Sequence, residues 1–220
     1  MHRRALVFAA TAAALPTAQA LTEGDAASGI RAALERGATA AVGLLGRENG
    51  FLGDERVRIA LPDHLEDLAK ILRATGQRKK VDELLTSMNR AAEKAVPLAK
   101  TMLVDAARKI SLDDAVRIVR GSATSVTEYF TGKTREPLGV KFLPIVTQAT
   151  EKVSLAARYN AVAGKAAEFG LVKKEDANLQ QYITGKALDG LYFMIGEEEK
   201  KIRADPVRTG SRILQVVFGR

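Results

Sequence analysis

The sequence predicts an all-α protein: a single bundle-like domain of about eight or nine helices, including kinked long ones. Apolar side chains recur at intervals of three and four residues through most of the chain after residue 20. Alanine and leucine are abundant, aromatic residues make up only 5%, and tryptophan is absent, a composition that favours close-packed helices over sheets. No fixed-period repeat or long linker divides the chain. We therefore expect one helical domain over residues 21–220.

Residues 1–20 are predicted to be a cleaved secretory signal peptide. Two arginines open the chain, an uncharged apolar run follows at residues 5–15, and Ala18 and Ala20 match the small-x-small pattern of a cleavage site. The apolar run is too short to span a bilayer. We predict export to the periplasm, with general secretion and the twin-arginine route both open.

Composition limits the class of the mature chain. Arg3 and Arg4 leave with the signal, which lowers the formal net charge from +8 to +6. No later segment reaches about 18 consecutive apolar residues, so we expect no transmembrane segment in the mature chain. Cysteine is absent, which excludes disulfides, thiol nucleophiles and a cysteine-linked lipid anchor. The mature protein is therefore expected to be soluble and stabilised by its core alone.

The first predicted elements follow from helix start and stop residues. One helix runs from Asp25 to about Leu45 and is closed by Gly46. Residues 46–61 are the least helical stretch, and a short extended segment is predicted near 56–61. Its alternating pattern places Val57, Ile59 and Leu61 on one side and Arg56, Arg58 and Ala60 on the other.

The next predicted helix starts at Pro62 and stops at Gly76. A longer helix follows from about Lys79, with Pro97 expected to kink it because its apolar stripe resumes in phase. Ser111 is expected to cap a short helix through a variant of the capping box.

Helices are also predicted through most of the remaining chain. They comprise a short helix through Phe130, one from Thr134 interrupted by Pro144, one from Ser154 to Gly170, a long one from Glu175 through Ile202, and a short C-terminal one after Pro206. Gly164, Gly185, Gly190 and Gly196 lie inside these helices, where each costs about 1 kcal/mol relative to alanine. Close packing and room for a ligand backbone are both possible reasons.

The chain lacks the usual motifs of catalysis. One histidine after residue 20 and no cysteine exclude His-rich and thiolate metal sites. A nucleophile elbow, a phosphate-binding loop and a dinucleotide-binding glycine pattern are all missing, so we expect no cofactor. Nucleic-acid binding is not expected, because the basic residues form no stripe with stacking aromatics. Carboxylate-only metal sites or acid–base pairs stay open.

Glu198 is the strongest candidate for a functional side chain. It follows Met194 by four residues and precedes Ile202 by four, which places it on an apolar stripe, where an unpaired buried carboxylate would cost several kcal/mol. Glu197 and Glu199 instead resemble surface partners of Lys201 and Arg203. Arg158 is the natural complement of Glu198. The remaining members of this candidate cluster are Asn89, Arg90, Glu93, Tyr159 and Asn160.

Three interpretations of the cluster are open. It is an interhelical ion pair that fixes helix register, a polar cleft that binds a small ligand, or a catalytic group.

Six stretches carry a resemblance to a known family. They are Asn49-Gly50-Phe51, Val57-Arg58-Ile59-Ala60-Leu61-Pro62, Met88-Asn89-Arg90-Ala91-Ala92-Glu93, Phe142-Leu143-Pro144-Ile145-Val146, residues 164–172 and residues 187–195. They resemble an uncharacterised family of exported proteobacterial proteins, domain of unknown function 4197 (DUF4197), over nearly the whole mature chain. The resemblance implies a signal peptide and one helical domain, and it implies no activity or catalytic residues. Ala60 departs from the family pattern, which often has a proline there.

Two functions from different classes follow from the sequence. The first is a non-catalytic periplasmic protein that binds a small molecule or another periplasmic protein. The second is a periplasmic hydrolase that uses carboxylates, with or without a divalent metal. The sequence does not identify the ligand, the partner or the oligomeric state.

Overall fold

A computed structural model of the chain describes residues 23–151, 156–157, 159–160, 163, 167–170, 177–209 and 215. Every regular element in these ranges is helical, and they contain no β-strand, so the predicted all-α class is confirmed. The proposed signal peptide lies outside the described residues, as do Arg158 and most of the predicted C-terminal helix.

Seven α-helices and two short 3-10 segments have defined bounds in the described part of the chain, so the predicted count of eight or nine is wrong there. The α-helices are α1 (Glu23–Leu45), α2 (Asp63–Ala74), α3 (Arg78–Ala95), α4 (Ala99–Arg108), α5 (Leu112–Val119), α6 (Ser125–Thr150) and α7 (Leu179–Ala204), and the 3-10 segments are Val96–Leu98 and Val207–Thr209.

Helix α6 replaces two predicted helices. We expected a break before Thr134, but the Thr134 hydroxyl donates to the Phe130 carbonyl at 3.0 Å and the Thr131 hydroxyl to the Thr127 carbonyl at 2.8 Å. These bonds to the preceding turn are compatible with a continuous helix. The helix also continues through Pro137 and Pro144.

Pro97 divides the long helix that we predicted from Lys79. A 3-10 turn, Val96–Leu98, separates α3 from α4, and the flanking Ala95 and Ala99 keep right-handed helical dihedrals. The chain therefore turns at the proline without leaving helical geometry.

Helices α1, α6 and α7 form the centre of the bundle. Helix α1 packs against α4, α5 and α7, and α6 packs against α3, α4, α5 and α7. Helix α2 lies at the edge and packs chiefly on α3. The largest side chains that are fully buried in this core include Phe51, Phe130, Phe142, Ile30, Leu34, Leu84, Leu103 and Leu138.

The connection between α1 and α2, residues 46–62, is held against the helices. Val57, Ile59 and Leu61 are buried, which confirms the predicted alternation, although the segment is not a β-strand. Phe51 is 0% exposed, and a Cβ added at Gly190 of α7 would lie 2.7 Å from its ring. Gly190 thus leaves room for the Phe51 ring, whereas nothing lies within 4 Å of a Cβ at Gly185.

Candidate functional site

Helix α3 brings together three residues of the predicted cluster, Asn89, Arg90 and Glu93, which we call the loop latch. Glu93 is 5% exposed. One of its oxygens accepts hydrogen bonds from the backbone N–H groups of Phe51 at 3.1 Å and Leu52 at 3.2 Å. The other accepts from Arg90 at 2.5 Å. The carboxylate therefore satisfies two backbone N–H groups of the loop.

Asn89 holds the same loop at a second point. Its side-chain oxygen accepts from the Ile59 N–H at 2.9 Å, and its amide donates to the Ile59 carbonyl at 3.0 Å and to the Leu85 carbonyl at 2.8 Å. Asn89 thus pairs with both backbone groups of Ile59, as a neighbouring strand would. This explains how the backbone of Ile59 is satisfied in the core without belonging to a sheet.

Arg90 completes the latch on its outer side. Its guanidinium reaches the exposed Glu48 carboxylate at 3.2 Å and the Asn49 side-chain oxygen at 2.9 Å. The hydrogen bond to Glu93 raises the pKa of Arg90 above its ordinary value. The polar groups of the latch therefore already have partners within the chain, and these bonds hold the loop against α3.

Glu198 is not the deeply buried carboxylate of α7. Its side chain is 16% exposed and pairs with Lys201 at 2.6 Å, and its Cβ faces α1 near Gly37. The next residue, Glu199, is only 3% exposed. Glu199 follows Ile195 by four residues and precedes Ile202 by three, so it lies on the same apolar stripe from which Glu198 was selected.

Glu199 makes structural contacts in the interior, although its sequence position had indicated a surface residue. Its carboxylate accepts from the Thr127 N–H at 3.0 Å and the Thr127 hydroxyl at 2.6 Å, and pairs with Arg203 at 3.0 Å. Thr127 lies in the first turn of α6, whose N-cap residue Thr124 makes no side-chain capping bond. A carboxylate from α7 therefore caps α6.

Asn160 and Tyr159 lie at a different place in the fold. Asn160 accepts from the Leu179 N–H at 2.9 Å and donates to Gln180 at 2.8 Å, and so supports the start of α7. Tyr159 is buried. The described members of the predicted cluster therefore make their contacts in three separate places rather than in one site.

An open groove lies between α4 and α6. Its volume is about 590 Å³, within the usual range for ligand pockets. Four of its residues on α6 are spaced four apart and share one face, a distance of about 18 Å along the helix. The residues that line the groove are Leu98, Thr101, Met102, Asp105, Ala106 and Lys109 on the α4 side, and Tyr129, Lys133, Thr134, Pro137 and Lys141 on α6.

Three lysines give the groove a positive charge. The side-chain ammonium groups of Lys109 and Lys141 form no ion pair or hydrogen bond with any residue that the structure describes. The ammonium group of Lys133 lies 5.6 Å from the centre of the Tyr129 ring, within the range of a cation–π contact. Asp105 is the one carboxylate among the described lining residues. The groove therefore presents unpaired cations beside apolar side chains.

Tyr129 is fixed as a wall of the groove. Its hydroxyl donates to Asp114 at 2.8 Å, and Asp114 also accepts from Ser111, which caps α5 as predicted. The hydrogen bond from Tyr129 lowers the pKa of Asp114, and burial raises the pKa of Tyr129. The wall is thus tied to α5.

Residues 20–219 match the model of the family described as "Protein of unknown function (DUF4197)". The chain belongs to this family. No curated protein and no solved structure matches the chain. The resemblance to DUF4197 that the six sequence stretches carry is therefore confirmed, and this membership assigns no activity to the chain.

Sequence reasoning missed the groove. It selected Asn89, Arg90 and Glu93 but did not predict that they hold the loop. Among the described residues, no group of three histidine, cysteine, aspartate or glutamate side chains is placed to hold a metal ion. No described helix combines the length and the apolar character needed to cross a membrane. The spacing of Tyr129, Lys133, Pro137 and Lys141 was the available signal for the groove. This spacing shows that the four residues share one face of a helix, but it does not show that α4 packs beside that face.

Proposed function

We propose that the protein is an exported, non-catalytic binding protein that holds a small amphiphilic anion in the groove between α4 and α6. The observation that supports the proposal is the combination of unpaired lysines and apolar side chains along one open groove. Lys109, Lys133 and Lys141 attract a carboxylate or a phosphate. Leu98, Met102 and the Tyr129 ring offer surface to an apolar body.

The arrangement of the groove favours an elongated ligand. Asp114 is bonded to Tyr129 at the start of α6 and follows α4 closely in sequence, so the end of α4 with Lys109 lies near Tyr129. Leu98 therefore lies toward Lys141. Lys109 and Lys133 thus mark one end, where an anionic head binds, and the apolar body extends past Met102 and Pro137.

Binding fits the groove better than hydrolysis. Acid–base hydrolysis by carboxylates needs two of them beside the substrate, and Asp105 stands alone among the described lining residues. The buried Glu93 and Glu199 are both occupied by backbone N–H groups and arginines. The proposal is therefore a binding role.

Calorimetric titration with dodecanoate, with 1-dodecanol as the neutral probe, tests the ligand class. We expect dodecanoate to bind more tightly, and K109A/K133A to weaken its binding about tenfold or more, because charge-assisted contacts are lost. T101W, which fills the groove from an exposed position, should abolish binding. The matched control is K100A, at an exposed lysine of the same α4 that does not line the groove.

Three results would contradict this role. They are no binding of dodecanoate, equal binding of the alcohol, or an effect of K100A as large as that of K109A/K133A. Circular dichroism of each variant ensures that a loss of binding is not a loss of folding.

Export is a separate part of the proposal, and it is supported by the basic start, the apolar run and the small residues before Leu21. Cell fractionation followed by intact-mass measurement tests it. We expect a periplasmic chain that begins near Leu21. A full-length chain in the cytoplasm would contradict export and leave the binding test unaffected.

A further inference from the structure

The hairpin of α2 and α3 separates its charges along its length. Five of its basic residues lie between residues 70 and 80, and no acidic residue lies between Ala69 and Val81. Acidic residues flank this stretch on both sides, at 63–67 and 82–83. The chain turns at residues 75–77, where Gly76 has a φ of +80°. We call residues 70–80 the basic tip; its cations are Lys70, Arg73, Arg78, Lys79 and Lys80.

The basic tip is open to solvent and carries an apolar side chain. Ile71 is 60% exposed, one of the most exposed large apolar residues in the described chain. Two ion pairs that the described residues of the tip make are long, at 4.0 Å between Arg73 and Glu66 and 3.7 Å between Arg78 and Asp82. Ion pairs of this kind between exposed residues are weak. They therefore leave a positive electrostatic potential around the tip.

The charge of the tip works against the stability of α3 itself. Arg78, Lys79 and Lys80 occupy the first turn of α3, which contains no acidic residue, and Gln77 makes no side-chain capping bond. Cations are unfavourable at that end because the helix dipole is positive there. An anionic surface outside the chain would offset this cost. The position of α2 at the edge of the bundle leaves the tip accessible to such a surface.

We infer that the basic tip docks on membrane surfaces rich in anionic phospholipids, with Ile71 entering the interface between head groups and acyl chains. Basic clusters bind such surfaces through their charge, and an exposed apolar residue adds buried area. Single-stranded nucleic acid is the less favoured occupant, because residues 69–81 contain no aromatic side chain on which bases stack. The separated charges also orient the hairpin with its tip toward the surface.

Vesicle co-sedimentation of the full mature chain tests the inference. We expect binding to vesicles of phosphatidylcholine mixed with phosphatidylglycerol, little binding to phosphatidylcholine alone, and weaker binding as salt rises. K79Q/K80Q should reduce the vesicle affinity roughly thirtyfold, since each neutralised charge near the surface is worth roughly fivefold. I71S should reduce it further.

The matched control is K94Q/K100Q, which removes the same charge from exposed lysines on α3 and α4 outside the tip. Binding that is equal on both kinds of vesicle, or an equal loss in K94Q/K100Q and K79Q/K80Q, would overturn the inference. Tighter binding to a single-stranded oligonucleotide than to vesicles would also overturn it. Thermal melting should show K79Q/K80Q folded, with a Tm no lower than that of the wild type, because the dipole conflict is relieved.

Discussion

The loop latch and the groove between α4 and α6 both gather charged residues, but they differ in where those residues find partners. In the latch, Glu93 and Asn89 bond to backbone groups of the loop, and Glu93 is 5% exposed. In the groove, the ammonium groups of Lys109 and Lys141 have neither an ion pair nor a hydrogen bond among the described residues. A charged cluster therefore indicates a ligand only when its own chain leaves it unsatisfied.

The largest effect should come from opening the latch. Glu93→Ala removes a buried charge that pairs with Arg90 and with two backbone N–H groups. We expect the free energy of unfolding to fall by about 3–5 kcal/mol, because Arg90 and the loop N–H groups lose their partner. Urea denaturation measures the change. Glu83→Ala, at an exposed glutamate of the same helix, should stay within about 0.5 kcal/mol, and a similar loss in both variants would refute the latch.

A pair of glycines tests the packing of the loop on α7. Gly190→Ala places a Cβ against the buried Phe51 ring, and we expect a loss of about 1–3 kcal/mol from overpacking. Gly185→Ala in the same helix meets no atom within 4 Å and should gain up to about 1 kcal/mol from helix propensity. Thermal melting of both variants should give shifts of opposite sign, and shifts of the same sign would contradict the described packing.

The groove should respond in the opposite way to the latch. Lys109→Ala and Lys141→Ala remove charges that make no bond with the described part of the chain, so each should change the free energy of unfolding by no more than about 0.5 kcal/mol. Lys109→Ala should also weaken binding of dodecanoate, and Lys141→Ala should weaken it less, because Lys141 lies at the end of the groove that receives the apolar body. A clear loss of stability in urea would mean that these lysines hold the fold together and that the comparison with the latch fails.

The smallest effect concerns pH at the wall of the groove. The pKa of Asp114 lies below its ordinary value of 3.8, chiefly because it accepts hydrogen bonds from Tyr129 and Ser111. A carboxylate with a lowered folded-state pKa stabilises the fold fully above the unfolded value and loses this contribution as pH falls. The stability difference between wild type and Asp114→Asn should therefore be larger at neutral pH than below about pH 4. A difference that does not vary with pH would contradict this.

The sequence predicted the helical class because local spacing determines it. The alternation at Val57, Ile59 and Leu61 and the cap at Ser111 were likewise visible in a few neighbouring residues. The number of helices was wrong because threonines and prolines interrupt a pattern without ending the helix when the surrounding turns stay bonded and packed. Helix α6 also packs against α3 and α7, and no local pattern contains such long-range contacts.

The candidate site was harder to predict, for two reasons. Met194 and Ile195 are both apolar, so the buried face of α7 is wide at this point. Glu198 follows Met194 by four residues and Glu199 follows Ile195 by four, so the spacing makes both glutamates candidates for the buried position. Packing selected Glu199. The groove depends on α4 standing beside α6, a long-range pairing that periodicity does not encode.

The two prolines of α6 have a further consequence for the groove. Pro137 and Pro144 have no N–H, so the carbonyl oxygens of Lys133 and Val140 each lack the amide donor that an α-helix normally supplies four residues on. The two missing hydrogen bonds are about two helical turns apart, in the part of α6 that forms one side of the groove. That side is therefore expected to bend more easily than α4 opposite it. Under the proposed binding role, a change in its curvature alone would let the groove accept ligands of somewhat different thickness.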